Sequence, residues 1–292
     1  MNRNPWSREE LIFALSLYFK IPFGKLNDTN PEIMEAARIL GRTPAAFTMK
    51  LCNFARLDPS HMARNVKGLG HGGKQDEVIW REFYGNWEIL SEQSALAQGQ
   101  FDSAAVMPRT RITTAEKFES RKTETTAEMK QRIGQDFFRR LVLSNFNNSC
   151  AITGVSMTSL LIASHIIPWA KDESKRVNPS NGICLSAIHD RAFDKGFITL
   201  DEGLRVVLSN SLRRESTRND FIKRCFADFE GKRIGVPERF ELDAEAIEFH
   251  RENVFGREQL VEERQMATPL PKAPVDIGNE YSRLSNRCVR SL

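Results

Sequence analysis

Leu160-Leu161-Ile162-Ala163-Ser164-His165-Ile166-Ile167-Pro168-Trp169, followed by Asn181-Gly182-Ile183-Cys184-Leu185-Ser186-Ala187-Ile188-His189-Asp190-Arg191-Ala192-Phe193-Asp194, is the part of the sequence that decides the fold. The first run is apolar, carries one histidine near its end and reads as a strand. A polar loop, Lys171 to Ser180, leads to a second strand over Ile183-Cys184-Leu185. Ser186 then caps a helix that bears His189, Asp190 and Asp194. Just upstream, Cys150-Ala151-Ile152-Thr153-Gly154 reads as a short strand and turn. His165 precedes Asn181 by 16 residues, Asn181 precedes Asp190 by 9, and Asp190 and Asp194 are 4 apart, which places both carboxylates on one helical face. Two strands and a helix of this size can hold one divalent cation between strand end and helix. Paired carboxylates suit a hard ion such as Mg²⁺ or Mn²⁺. A neutral histidine nearby can take a proton from water, and the ion can stabilise charge on the departing oxygen. Phosphodiester hydrolysis needs these parts. Each residue alone has a plainer reading: His165 as a satisfied core histidine, and Asp190 and Asp194 as a solvated face paired with Arg191 or Lys195. Cys150 and Cys184 lack second cysteines at metal-ligand spacing and read as buried apolar residues.

The ordered set of words carries a resemblance. Gln135-Asp136-Phe137-Phe138-Arg139, Cys150 to Gly154, Ser164 to Trp169, Asn178-Pro179-Ser180-Asn181-Gly182 and His189 to Gly196 together resemble the HNH endonuclease family, and closely its restriction-type bacterial subgroup. The resemblance implies an α+β chain with a C-terminal ββα-metal (HNH) nuclease domain that cuts DNA with Mg²⁺ or Mn²⁺, in restriction or defence against foreign DNA. It implies His165 as general base, Asn181 as the residue that fixes the loop and orients that histidine, and Asp190 and Asp194 as metal ligands. Ser164 stands where many members place an acidic or histidine ligand. His189 is one step out of register and could bind metal, contact phosphate or support the fold. The serine leaves open an alternative, a DNA-binding or regulatory protein whose HNH domain is degenerate and inactive.

The rest of the chain arranges itself around this unit. Residues 1–93 read as a small helical domain. Ser7 and Glu10 form a capping box before Leu11, Asn30-Pro31 starts a helix that Gly41 ends, and Thr43-Pro44 starts another. Two short helices across a glycine turn suggest a helix-turn-helix, with Thr48, Lys50 and Asn53 facing a DNA groove. Asp58-Pro59 closes that unit, and the glycine-rich stretch from Lys67 to Lys74 reads as a loop. Residues 94–129 lose periodicity and read as a linker, 130–264 as the nuclease domain and 265–292 as a disordered tail. Phe197 to Leu200 and Leu204 to Ser209 flank Asp201-Glu202-Gly203 as a hairpin. Lys171 and Arg176 of the polar loop, Arg191 of the helix, and Arg213 and Arg214 beyond the hairpin are expected to meet the phosphate backbone of double-stranded DNA. With 292 residues, a net charge of +4, five cysteines at wide spacing and no long apolar run, the composition fits a cytoplasmic protein that neither spans a membrane nor depends on disulfides. Cutting both strands with one site per chain points to a homodimer.

Overall fold

The computed structural model describes residues 5–64, 72–106 and 124–255. Helix α1 (Arg8–Lys20) starts with the expected reciprocal cap: the Ser7 hydroxyl accepts the Glu10 N–H at 3.2 Å and the Glu10 carboxylate accepts the Ser7 N–H at 2.8 Å. Every residue from Leu11 to Phe19 is buried, so α1 is the central rod of the N-terminal half. Asn30 caps α2 (Pro31–Ile39) and Thr43 caps α3 (Pro44–Ala55), each with proline in the first turn. Between them Gly41 takes φ +62°, and the Arg42 N–H returns to the Ala37 carbonyl at 2.8 Å, which closes α2 as a glycine C-cap does. Asp58-Pro59 opens a further helix, α4 (Pro59–Ala63), rather than closing the unit, because the Asp58 carboxylate caps it.

The outward face expected of α3 is occupied. Helix α5 (Lys74–Phe83) lies beside it, and the fully buried Asp76 takes the Lys50 ammonium at 2.7 Å and the Asn53 amide at 3.3 Å. A buried carboxylate needs a cation and donors around it. Lys50 and Asn53 meet that need and do not project toward solvent, which corrects the expectation that they reach a DNA groove.

Helix α6 (Trp87–Val106) runs well into the segment expected as a linker, and α7 (Glu124–Asn145) begins before that segment ends. The apparent loss of periodicity comes from small polar residues used as core. Ser91 and Ser94 are buried beside Leu90 and Ala97, and their hydroxyls donate to the carbonyls of Glu88 and Ser91 in the same helix. A serine satisfied this way packs like alanine. The glycine-rich loop before Lys74 and the tail from 265 lie outside the described residues.

In the C-terminal half, β1 (Leu161–His165) pairs antiparallel with β2 (Gly182–Ser186), with Ser164 opposite Ile183 and His165 opposite Gly182. Helix α8 (Ala187–Asp194) follows β2 directly and packs on both strands, while α7 crosses the hairpin's other face. A Cβ on Gly182 would meet Val142 Cγ2 at 2.3 Å and Phe138 Cζ at 2.7 Å, so this glycine lets α7 approach closely. The chain then forms the expected hairpin of β3 (Ile198–Leu200) and β4 (Val206–Leu208), followed by α9 (Asn210–Ser216), α10 (Asp220–Cys225) and α11 (Ala244–His250). Residues 150–154 make a turn and no strand; the Cys150 carbonyl accepts the Gly154 N–H at 2.8 Å. Helices and two small antiparallel sheets thus make up the described chain. No helix among the described residues is long and apolar enough to cross a membrane.

The two halves share one core. Phe240 packs against Phe19 and Trp87 with ring centroids 5.8 and 5.0 Å away. Beside it the buried Arg239 sends one guanidinium nitrogen to the carbonyls of Tyr18, Phe19 and Ile21 at 3.0, 3.3 and 3.1 Å, lies 4.5 Å over the Tyr18 ring and faces the Asp58 carboxylate at 3.6 Å. Truncating Arg239 to alanine leaves Asp58 as an uncompensated buried charge. Arg239→Ala should therefore lower the unfolding free energy by about 3–5 kcal/mol, read as a shifted midpoint in urea denaturation followed by tryptophan fluorescence. A loss within the scatter of surface substitutions would show that the halves do not depend on this contact.

Candidate active site

Successive strand residues leave opposite faces of a sheet, and the end of β1 divides its two polar residues in this way. Ser164 is buried on the α8 side. Its hydroxyl makes no regular hydrogen bond, yet it lies close enough to Asp190 to favour that carboxylate's charged form. His165 is on the α7 side, its ring stacked on Phe138 with centroids 3.8 Å apart and 11° between planes, and edge-on to Trp169 at 5.4 Å.

The histidine's bonding fixes its protonation. His165 Nε2 is 2.9 Å from the Arg176 carbonyl, which can only accept, so the neutral ring carries its proton on Nε2. Nδ1 is left with its lone pair and has no hydrogen-bond partner among the described residues. Burial lowers the pKa, partly offset by the carbonyl, so the ring is neutral at physiological pH. It can accept a proton at one defined atom.

Asn181 holds the loop that supplies this carbonyl. Its side-chain oxygen accepts the Ile167 N–H at 2.8 Å, and its amide donates to the carbonyls of Ile167 and Lys175 at 3.1 and 3.2 Å. Every one of these bonds goes to backbone, at Ile167 just beyond β1 and at Lys175 next to Arg176. Asn181 is fully buried and is a positioning residue here.

Asp190 and Asp194 stand one turn apart on α8, the first half-buried and the second more open. Both carboxyls have raised pKa values, first through burial; repulsion from Asp190 adds to the shift at Asp194, while Arg191 opposes it at both. Asp190 lies against the Ser164 hydroxyl across α8 and β1, and Asp194 stands one turn further along α8 within reach of Asp190's charge. They offer two charged oxygen donors and one neutral donor whose hydroxyl lacks a protein partner. No three His, Cys, Asp or Glu side chains converge among the described residues. A magnesium ion, which keeps several waters and takes one or two carboxylates, fits such a donor set.

Of the roles open to His189 in the sequence, the geometry favours support of the fold over a chemical one. It is buried, its Nδ1 accepts from the Ser186 hydroxyl at 2.8 Å, and its Nε2 donates to the Cys225 carbonyl at 2.7 Å. Both nitrogens are used, and neither a metal nor a proton has a lone pair to reach. The ring ties the start of α8 to the end of α10. Ser186, expected as a helix cap, spends its hydroxyl on this histidine instead.

Of the residues expected at phosphate, Lys171 and Arg191 are exposed. Arg176 is half-buried and turned inward, with Nε on the Trp169 carbonyl at 3.1 Å and an ion pair to Glu173 at 3.0 Å. Arg213 is exposed but paired with Glu230 at 2.6 Å, and Arg214 beside it is exposed. Phe138 and Trp169, which frame His165, stand in the words that carry the resemblance but had no site role there; the histidine's need for ring neighbours has no local signal.

Residues 150–201 match the family model described as HNH endonuclease. That segment is of the HNH endonuclease family. It spans the turn at Cys150, both strands of the β1–β2 hairpin, α8 and β3, and therefore includes Ser164, His165, Asn181, Asp190 and Asp194. Nuclease chemistry in general is what such a domain brings. A comparison with curated proteins gives no match.

The carboxylate pair has a thermodynamic signature. A carboxyl whose folded pKa is raised stabilises the fold below its unfolded pKa and loses that contribution as pH rises through the folded value. At neutral pH the metal-free HNH segment thus holds two charges that burial and repulsion disfavour. Asp190→Asn should raise the melting temperature in EDTA at pH 7–8, and the gain should shrink toward pH 4. Mg²⁺ or Mn²⁺ should raise the melting temperature of the natural protein and not of the variant. Equal response of both proteins to the ion would place the metal elsewhere.

Proposed function

We propose that this chain is a metal-dependent endonuclease that hydrolyses DNA phosphodiester bonds, acting in restriction of foreign DNA. The observation that carries the reading is the coincidence of the HNH match with a pair of raised carboxylates against one face of the β1–β2 hairpin and a neutral histidine of single tautomer on the other face, at the end of β1. In this reading β1, β2 and α8 are the ββα-metal unit. Asp190 and Asp194, with the Ser164 hydroxyl, would hold one Mg²⁺ or Mn²⁺. When bound, such an ion stabilises charge on the leaving oxygen. His165 receives the proton of the attacking water at Nδ1 and returns it to solvent. The Arg176 carbonyl holds the imidazole in that tautomer and stabilises its protonated form, and Asn181 keeps the carbonyl in place. Lys171 and Arg191 meet the duplex backbone beside the site, with the exposed cations of α9 and α10 extending the contact.

A second reading is favoured by one specific observation. Ser164 and His165 leave opposite faces of β1, so the histidine shares no contact with the carboxylates. A protein that binds DNA through a degenerate HNH domain would show this separation and bind without cutting.

Supercoiled plasmid incubated with the purified chain separates the two. Cleavage in Mg²⁺ or Mn²⁺ that EDTA abolishes, and that His165→Ala reduces by ~10²–10⁴-fold, supports the nuclease. Unchanged cleavage by His165→Ala would remove the histidine from the mechanism. Duplex binding by the natural protein with no cleavage in any divalent ion would establish the second reading. Because each chain holds one such set of groups, cutting both strands calls for two copies related by a two-fold axis. Sedimentation with a short duplex should then show a dimer, and the plasmid should be linearised. A monomer that only nicks would reassign the protein as a nickase.

A further inference from the structure

The crevice between the N-terminal helices and α7 has a cation without a hydrogen-bonded counter-charge among the described residues. Lys20, at the end of α1, is partly buried with its ammonium 4.9 Å over the Phe137 ring, and it makes no hydrogen bond or ion pair among the described residues. Burial, with help from nearby Arg140, lowers its pKa to about 8, so it is still mostly charged at neutral pH. Lysine heads are rarely enclosed without a partner. Lys20 opens onto a cavity of about 480 Å³ whose wall also bears Lys25, Glu32, Asp136, Arg139 and Arg140. Cations outnumber carboxylates there by two. Glu32 is already spent on Arg140, and Asp136 is exposed. Arg139 is held rigidly, because its guanidinium donates to the carbonyls of Leu161 and Thr158 at 2.8 and 3.3 Å.

We propose that this cavity binds a small phosphate ester of nucleotide size, with Lys20 as its deep cation and Lys25 and Arg140 at its mouth. The volume lies in the range of small-molecule sites. A pre-positioned cluster of lysine and arginine is the chemistry that recognises phosphate. Depth separates a free ester from a DNA backbone: a small ester entering the cavity reaches Lys20 as well as the cations at its mouth, while a rigid duplex lying across the surface reaches the mouth cations and not Lys20. The site is separate from the Asp190 and Asp194 pair and does not depend on the nuclease being active.

Calorimetric titration of ADP, inorganic pyrophosphate and adenosine into the full chain, in EDTA to keep divalent ions from the carboxylates, tests the assignment. ADP and pyrophosphate should bind and adenosine should not. Lys20→Met should weaken ADP by at least about tenfold, the scale of one charge-assisted contact. Lys25→Glu, at an exposed side chain that cannot unfold the chain, should weaken it as well, and Asp190→Ala should leave it unchanged. Absence of binding by both phosphates, or binding insensitive to Lys20→Met and Lys25→Glu, overturns the proposal. Loss of ADP binding in Asp190→Ala would assign the phosphate to the nuclease site. Displacement of ADP by a 12-base-pair duplex in proportion to duplex binding would assign the cavity to DNA backbone instead, and overturn it equally.

Discussion

Arg239 is a buried cation placed at the end of a buried helix. The last turn of an α-helix leaves carbonyls without partners and carries the negative end of the helix dipole. In α1 that end is inside the protein, where water cannot satisfy it. One nitrogen of Arg239 collects the carbonyls of Tyr18, Phe19 and Ile21, and the Asp58 carboxylate balances the charge while it accepts the Tyr18 hydroxyl at 2.7 Å. The arginine comes from the far end of the chain. Its own backbone N–H, and that of Phe240, are held by the Asn145 side chain at the end of α7, each at 2.9 Å. One residue thus joins α1, the start of α4 and the end of α7.

The position of α7 in turn sets the candidate site. Phe138 on α7 is the surface on which the His165 ring lies, and Arg139 beside it grips the start of β1 through the Leu161 carbonyl. Gly182 allows the helix close enough for both. On the hairpin's other face, His189 anchors α8 so that Asp190 stands over Ser164. The β1–β2 hairpin is therefore clamped between two helices, α8 held by a buried histidine with both ring nitrogens used and α7 held by a buried asparagine that bonds backbone through both ends of its amide. Buried hydrogen-bond networks of this kind favour one geometry, which a site needs within a fraction of an ångström.

What the sequence made legible follows from how local each signal is. The helix caps at Ser7, Asn30 and Thr43, the strand pair, and the spacing of Asp190 and Asp194 are written within a few residues of one another, and they appear where the pattern puts them. Several failures concern partners far along the chain. Lys50 and Asn53 look like a solvent face until Asp76, 26 and 23 residues away, is seen to need them. His189 looks chemical because of its neighbours Asp190 and Asp194, yet its state is decided by the Cys225 carbonyl. The serines of α6 read as linker because sequence hides that their hydroxyls bond to their own helix. At the site itself, residue types and spacing were readable, but the division of Ser164 and His165 between two faces of β1 depends on what packs on each face.

Burial shifts the imidazole and the carboxylates with one cause and opposite consequences. A low-dielectric setting disfavours any charge, so it lowers the pKa of His165 and raises those of Asp190 and Asp194. For the histidine the neutral form is the working form of a base, and burial supplies it without further help. For the carboxylates the neutral form is useless as a ligand; Arg191 and the Ser164 hydroxyl recover only part of the penalty at Asp190. A divalent cation is the partner that would reverse it, since it attracts both oxygens and cancels their mutual repulsion. On the proposed reading, the same environment would prepare one group for proton transfer and leave the other pair in need of a cation, and the second need is what would separate a helix face of two aspartates from an ordinary solvated one.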